Sequence, residues 1–314
     1  MNSHRHSLSL LVGSSSKQSL IVFLAFLLGL VATPALLAQT KLSYKFKADS
    51  KQTYLQETEQ KQSMNVAGMN IETTVSQATE LSQLVTGVDG GTASLRQTVA
   101  RFRTKMEMPG NNIEYDSKDG KKPDGPVGAL VGPLFEAMVG SEFNFKMAAD
   151  GKVSDVKFSD KLANALKGNP ILAQMGGMFS EEGMKSMMQQ SSIPLPTEAV
   201  MKGQSWNGKV ETKTPIGTMT ITTTYTYQGQ ETRNNVALEK ISTKSEMKIE
   251  GAGENKDVEV KLKDADIQGT IYFDNQAGNI VESSQVQKMT MEIKVMGQAL
   301  ESKQTQTIKY KLVP

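Results

Sequence analysis

Tyr54-Leu55-Gln56-Glu57-Thr58-Glu59-Gln60-Lys61-Gln62-Ser63-Met64-Asn65-Val66-Ala67-Gly68-Met69-Asn70-Ile71-Glu72-Thr73-Thr74-Val75 is the stretch that decides the fold. The run from Tyr54 to Val66 meets Ala67-Gly68 and returns through Met69, Ile71, Thr73 and Val75. Alternation with a period of two is the signature of a strand that buries one face. Glycine adopts the positive φ of a tight reversal, so the stretch reads as a long antiparallel hairpin.

The same pattern extends in both directions. Upstream, Leu42, Tyr44 and Phe46 alternate with polar residues across Lys41 to Lys47, which predicts a half-buried strand. Downstream, Asp89-Gly90-Gly91 marks the next turn, Ala93 to Met108 another strand, and Pro109-Gly110-Asn111 its end. From Trp206 onward the chain again reads as strands, with turns at Asn275 to Gly278 and Met296-Gly297. Gln287 to Met291 followed by Gly297 faintly repeats Gln60 to Met64 followed by Gly68. A duplicated half-sheet and a chance likeness of amphipathic hairpins explain this equally well.

The middle differs. Ser117 to Pro126 reads as an exposed loop. Pro133 suits a first helical turn, with Leu134, Phe135 and Met138 at helical spacing and Gly140 as the stop. Phe143, Phe145 and Met147 then alternate into a turn at Asp150-Gly151, and Val153 to Phe158 return. Asp160 and Ser180 are placed to cap two further helices, the second carrying Met184, Met187 and Met188.

The N-terminus reads as an export signal. Arg5 and Lys17 are its basic part, Leu20 to Val31 its apolar part, and Thr33 to Ala38 the small residues near a cleavage point. A retained anchor is the competing reading, and Thr33-Pro34 cut the apolar run towards the shorter length of a cleaved signal.

Beyond residue 38 the chain has no histidine and no cysteine, since His4 and His6 are its only histidines. That removes Ser-His-Asp and Cys-His nucleophilic sites and the usual zinc ligands. Of the 35 Lys and Arg, two lie in the first 38 residues, so 33 basic side chains face 33 acidic ones. A phosphate-backbone partner needs a basic excess, so nucleic acid is not an expected ligand.

Other motifs dissolve on inspection. Gly203-Gln204-Ser205-Trp206-Asn207-Gly208 has its second glycine one place too late for a nucleophile elbow. Ser154 with Lys157, and Ser245 with Lys248, sit in expected strands, where residues three apart face opposite ways. Asp274 to Asn279 lacks the spacing of a calcium loop. Met175, Met178, Met184, Met187 and Met188 are the densest group of thioethers, the ligand type that selects Cu(I). Core packing or a pliable apolar lid is the commoner use of such a stripe, so no metal or cofactor is expected. Trp206, the only tryptophan, anchors the start of the second strand-rich half in this reading, with ligand stacking as its other use. A paired-carboxylate hydrolase is the one enzyme class that counting residues leaves open. Glu57, Glu59 and Glu292 nevertheless alternate like a solvated strand face.

Leu42-Ser43-Tyr44-Lys45-Phe46, Asp150-Gly151-Lys152-Val153, the Pro-rich approach to Gly203-Gln204-Ser205-Trp206, Tyr225 and Tyr227 before Gly229, and Gly269-Thr270-Ile271-Tyr272-Phe273-Asp274 with Gly278 occur in that order. Together they resemble an uncharacterised family of exported bacterial proteins, a domain of unknown function, over most of residues 41–314. The resemblance implies export and a β-rich fold, and it implies no activity.

The expectation is therefore an α+β protein dominated by long antiparallel strands, in a strongly twisted sheet or incomplete barrel with a short helical insertion packed against it. Residues 1–38 are the signal and 39–314 a single domain, with strand halves at about 41–116 and 201–314 and the insertion at about 127–192. The expected function is a non-enzymatic binding module of the envelope (periplasm, cell surface or beyond), without a membrane span once the signal is cleaved. It would hold an apolar or amphiphilic ligand, with Met184, Met187, Met188 and Trp206 as candidate lining residues. The alternative is a structural or protein-interaction component whose partner is another envelope protein. An exterior rich in Thr and Gln suits either.

Overall fold

A computed structural model describes residues 39–66, 68–160, 164, 183, 185, 186, 188, 189, 192–214, 217–251, 258–295 and 298–314. The expected signal segment, most of the helices expected over 161–190, and Met175, Met178, Met184 and Met187 lie outside the described residues.

The hairpin that opened the sequence analysis is present as β1 (Lys51–Val66) and β2 (Met69–Asp89), paired in register from Lys51↔Leu84 to Val66↔Met69. β3 (Thr92–Met108) and the short β4 (Asn111–Asp116) follow, then the helix α1 (Gly125–Met138) and the hairpin β5 (Glu142–Ala148) and β6 (Val153–Phe158). The second half is a run of β7 (Ser205–Thr214), β8 (Gly217–Arg233), β9 (Val236–Glu250), β10 (Val258–Asp274), β11 (Asn279–Val295) and β12 (Gln298–Val313). All pairings are antiparallel in one 12-stranded sheet, ordered β6-β5-β3-β2-β1-β12-β11-β10-β9-β8-β7, with β4 beside β3. The sheet is open, with β6 and β7 at its edges, as expected of an α+β chain dominated by strands.

The order is one continuous meander whose chain break has been moved. Reading from β7, each strand adds beside its predecessor to β12, which pairs with β1, the strand at the other end of the chain (Thr53↔Val313 to Met64↔Ser302). The first and last strands, β1 and β12, therefore lie side by side at the centre of the sheet, while β6 and β7, consecutive in the chain, form its two edges.

The helix starts earlier than Pro133. Its cap position is Asp124 and Pro126 lies in its first turn, where a missing N–H costs nothing, while Pro133 sits inside. Its position follows from an interruption in the ladder. β4 and β5 lie in tandem along the same edge of β3, opposite residues 103–108 and 92–98. Between them, Ser117 N–H donates to Phe102 O (3.0 Å) and Val99 N–H to Ser141 O (3.2 Å). The chain leaves the edge at 117 and returns at 141, and α1 covers Val99, Phe102, Ile113 and Tyr115 with Phe135. Phe135 lies 5.2 Å from Phe102 and 5.4 Å from Tyr115, centroid to centroid.

Residues 41–47 do not form the expected strand. Leu42 and Tyr44 are buried as the alternation required, yet the segment crosses the strand ends instead of joining a ladder. Tyr44 N–H donates to Ala149 O (2.9 Å) and Lys45 N–H to Gly278 O (3.1 Å), so consecutive amides bond to different turns. The returning segment closes the same end: Leu195 N–H donates to Asp150 O (2.8 Å), Ile193 N–H to the Tyr44 hydroxyl (3.2 Å), and Trp206 Nε1–H to Pro194 O (2.6 Å). Residues 193–195 thus bridge from the β5–β6 turn to edge strand β7. Leu42, Tyr44, Ile193, Leu195 and Val200 pack there against Tyr227, Ile241, Ile271, Phe273 and Ile280.

Candidate functional site: a neutral cavity on the inner face

Side chains of the long strands sort by face. On β12 the inward positions are Ser302, Gln304, Gln306, Ile308 and Tyr310, and the outward ones Glu301, Lys303, Thr305, Thr307, Lys309 and Lys311. Strand β11 repeats this with Gln285, Gln287, Met289 and Met291 inside and Glu282, Lys288 and Glu292 outside. The outer charges pair with each other, as in Arg101 with Asp116, Lys263 with Glu292, and Arg233 with Glu282. Arg101 is bidentate on Asp116 (3.0 and 2.5 Å), which holds that carboxyl down to about 2. Among the described residues the inner face carries one buried carboxylate, Glu239, which accepts from the Tyr227 hydroxyl (2.5 Å) and Gln230 Nε2 (3.3 Å). Burial, and then this bond, push the Tyr227 phenol up to about 12.

A cavity of about 620 Å³ opens on this inner face. Its wall runs from Val210 on β7 through Ile221, Tyr225, Met247, Ile267 and Met289 to Ile308 on β12, and is completed by Gly151, Gln189, Ser192, Pro194 and Leu195. In a flat sheet β7 and β12 would stand five spacings of about 4.8 Å apart. One cavity of this volume touches both only because the sheet curls around it.

The charged members of the wall, Asp150, Lys152 and Lys209, are all exposed to solvent. Lys209 Nζ reaches Glu211 at 2.7 Å in solvent, and exposed Asp150 accepts the Lys152 N–H at 3.0 Å. The Tyr225 phenol is pushed up to about 12 by burial, so it stays a neutral donor. What remains is aliphatic side chains, thioethers, hydroxyls and glutamine amides.

A second chamber of about 220 Å³ adjoins the first, with Ser192 in both walls. It is lined by Tyr44, Phe46, Tyr54 and Tyr310 together with Gln52, Gln83 and Gln97. The three glutamines stand in register on β1, β2 and β3. Tyr54 and Tyr310 stack at 4.7 Å, and burial raises the phenols of Tyr44, Tyr54 and Tyr310 beyond their ordinary range.

Of the residues singled out in the sequence, Met188 lines the smaller chamber and packs against the Val85, Leu95 and Phe145 cluster. Trp206 stands one layer behind the larger cavity, stacked on Tyr225 at 5.6 Å while its indole N–H holds Pro194 O. Ser205 shares a bond with Thr226 (2.8 Å), and Asp274 Oδ1 accepts the N–H groups of Gln276 and Ala277, as a hairpin turn does. Ser245 faces inward to Thr223 (2.8 Å) while Lys248 is exposed on the other face. Among the described residues, no three His, Cys, Asp or Glu side chains converge as a metal site, and no helix is long and apolar enough to cross a membrane.

Sequence reasoning passed over the inward glutamines. Gln and Thr were expected outside, yet Gln285, Gln287 and Gln306 line the larger cavity and Gln52, Gln83 and Gln97 the smaller.

A family model matches residues 90–310, more than half of the chain. The chain belongs to that family of unknown function, DUF6263. The match spans both edges of the DUF6263 sheet but begins after β1 and β2, which lie in its central part. Among solved structures, lipovitellin is 11% identical with a TM-score of 0.46, covering 86% of this chain. This chain spans only 26% of lipovitellin. The translocator domain of the autotransporter NalP from Neisseria meningitidis is 8% identical, with 84% of this chain and 89% of that one covered and a TM-score of 0.21. A DUF1329 family protein from Desulfovibrio piger ATCC 29098 is 9% identical, with 82% and 85% covered and a TM-score of 0.13. No curated protein matches the sequence.

Proposed function

We propose that this DUF6263 chain is an exported, non-enzymatic binding module of the bacterial envelope that encloses an apolar or amphiphilic molecule on its inner face. The observation that carries the reading is the cavity of about 620 Å³, walled by aliphatic, thioether, hydroxyl and amide side chains from six adjacent strands, with its charged residues Asp150, Lys152 and Lys209 exposed. Pockets that hold small molecules fall in this size range and are mainly apolar with a few placed polar groups. Catalysis by general acids and bases needs titratable groups beside the reacting atoms. Here the wall's charged side chains, Asp150, Lys152 and Lys209, are exposed to solvent, and its buried phenol stays protonated. The segment carrying Met188 and Gln189 serves as the methionine-bearing side of the lid, and residues 1–38 as the export signal.

The test is native mass spectrometry of the mature protein purified from its host's envelope, followed by gentle denaturation. A stoichiometric apolar or amphiphilic molecule released on unfolding is the expected result. A clean apo mass under conditions that preserve the fold overturns the reading.

A further inference from the structure

We propose that the smaller chamber is a head-group subsite, and that the ligand is an amphiphile whose polar end is uncharged and carries several hydroxyls, as in glycerol or a sugar. The inference rests on the binding reading above and specifies its ligand class. Four features point to it, each independent of the larger cavity's apolar character.

First, apart from the exposed Lys45 and Lys47, the chamber's polar side chains are neutral and of both kinds. The amides of Gln52, Gln83 and Gln97 form a row across three strands, each able to donate and accept. Second, the phenols are locked in the donor state, because burial among one another raises Tyr44, Tyr54 and Tyr310. Third, hydrogen-bonding capacity in the wall is unfilled. Asn279 Oδ1 is buried without a partner, while the Tyr54 hydroxyl is already given to Gln52 Oε1 at 2.9 Å. A buried acceptor left unpaired costs free energy, which a ligand hydroxyl would recover once the Asn279 amide turned toward the chamber. Fourth, the stacked faces of Tyr54 and Tyr310 offer flat apolar surface beside these groups.

An ionic head group fits poorly here. The wall's cations are Lys45 and Lys47, whose side chains are exposed, and Lys45 Nζ is spent on Gln276 O at 3.3 Å. A phosphate or carboxylate drawn into the chamber would lose its water without gaining a buried countercharge. The two chambers also lie next to each other. Ser192 belongs to both walls, and on β12 the inward residue after Ile308 of the large cavity is Tyr310 of the small one. The tail lies along β7–β12 and the head against β1–β3.

The test uses the mature protein with Nile red as a neutral apolar reporter, displaced by 1-monooleoylglycerol, oleate at pH 8, or 1-octadecene. The expected result is displacement by all three, with monooleoylglycerol binding about tenfold more tightly, the worth of one or two well-placed hydrogen bonds. Tyr310→Phe, and separately Gln83→Leu, should each remove most of that preference while leaving octadecene unchanged. Equal affinities for the three, a preference for oleate, or variants that weaken all three alike would overturn the head-group subsite and leave the binding reading standing. Failure of Nile red and all three probes to bind a folded protein would overturn both.

Discussion

Gly278→Ala is expected to be far more damaging than Gly91→Ala, although the two glycines look alike by backbone angle. Both have positive φ, +73° at Gly278 and +79° at Gly91. An alanine at either site therefore carries the same left-handed penalty of about 1–2 kcal/mol. The surroundings differ. A methyl group at Gly91 meets nothing within 4 Å, whereas at Gly278 it overlaps the backbone nitrogen and the side chain of Lys45. Backbone cannot rotate away as a side-chain tip can, so the 41–47 segment must lift. That breaks the Lys45 N–H to Gly278 O bond, about 1 kcal/mol net. It also loosens Leu42 and Tyr44, now only 1% and 7% exposed, at a cost of about 1–3 kcal/mol for partial exposure. The difference between the variants should be about 2–4 kcal/mol, read from urea unfolding followed by far-UV circular dichroism at a common slope. Equal losses would refute the claim that the 41–47 segment is clamped across the strand ends.

Replacing Ile308 by Lys should destabilise by about 2–4 kcal/mol and abolish Nile red binding, since it puts a charge on the inner face, whereas the neighbouring Thr307→Lys should stay within about 0.5 kcal/mol. Melting of the two purified variants checks the sorting of faces. Tyr227→Phe should cost about 2 kcal/mol in urea unfolding, because it leaves the buried Glu239 carboxylate with Gln230 alone. Asp116 has a carboxyl held down to about 2 by Arg101, below the ordinary unfolded value, so its stabilisation is complete above about pH 4 and fades as the pH falls through 2. The gap between wild type and Asp116→Asn should accordingly be constant from pH 7 to about 4 and close below it, as followed by melting temperature against pH. Trp206→Phe keeps a ring for Tyr225 to stack on but drops the bond to Pro194 O. It should cost about 1–3 kcal/mol in urea unfolding and increase amide exchange at Leu195 more than at Ile113.

The strands were legible because alternation is local. Each of β1, β2 and β8–β12 is long enough that a period of two dominates, and Gly68, Gly91 and Gly278 mark reversals where φ must be positive. The N-terminal segment shows where such reading ends. Leu42 and Tyr44 face the core as alternation demands, but whether an extended segment joins a ladder depends on which acceptors lie alongside. Those belong to residues 149 and 278, remote in sequence. The start of α1 was hidden for the opposite reason. Gly125, Pro126, Gly128 and Gly132 have the composition of a loop, yet Gly128 is a packing residue of the helix, since a side chain there would overlap the backbone of Pro123.

The cavity was less legible than the strands, because glutamine does not reveal its side. An aliphatic residue on an alternating strand marks the core and a lysine marks solvent, since burying the wrong one costs several kcal/mol. A neutral amide costs little in either place when it can find a partner or line a polar hollow. In β12 the phase is set by Lys303, Lys309 and Lys311 outside and Ile308 and Tyr310 inside, and parity then assigns Gln304 and Gln306 inward. Parity is a property of one strand, however, and a site is a property of several. Gln52, Gln83 and Gln97 become a row only through the registers of β1 with β2 and of β2 with β3, and the second register shifts by one residue between Glu80 and Leu81. Likewise β7 and β12 share a wall only because the sheet between them curls. The charges decide which face is inner, and the pairing of distant strands decides what that face can hold.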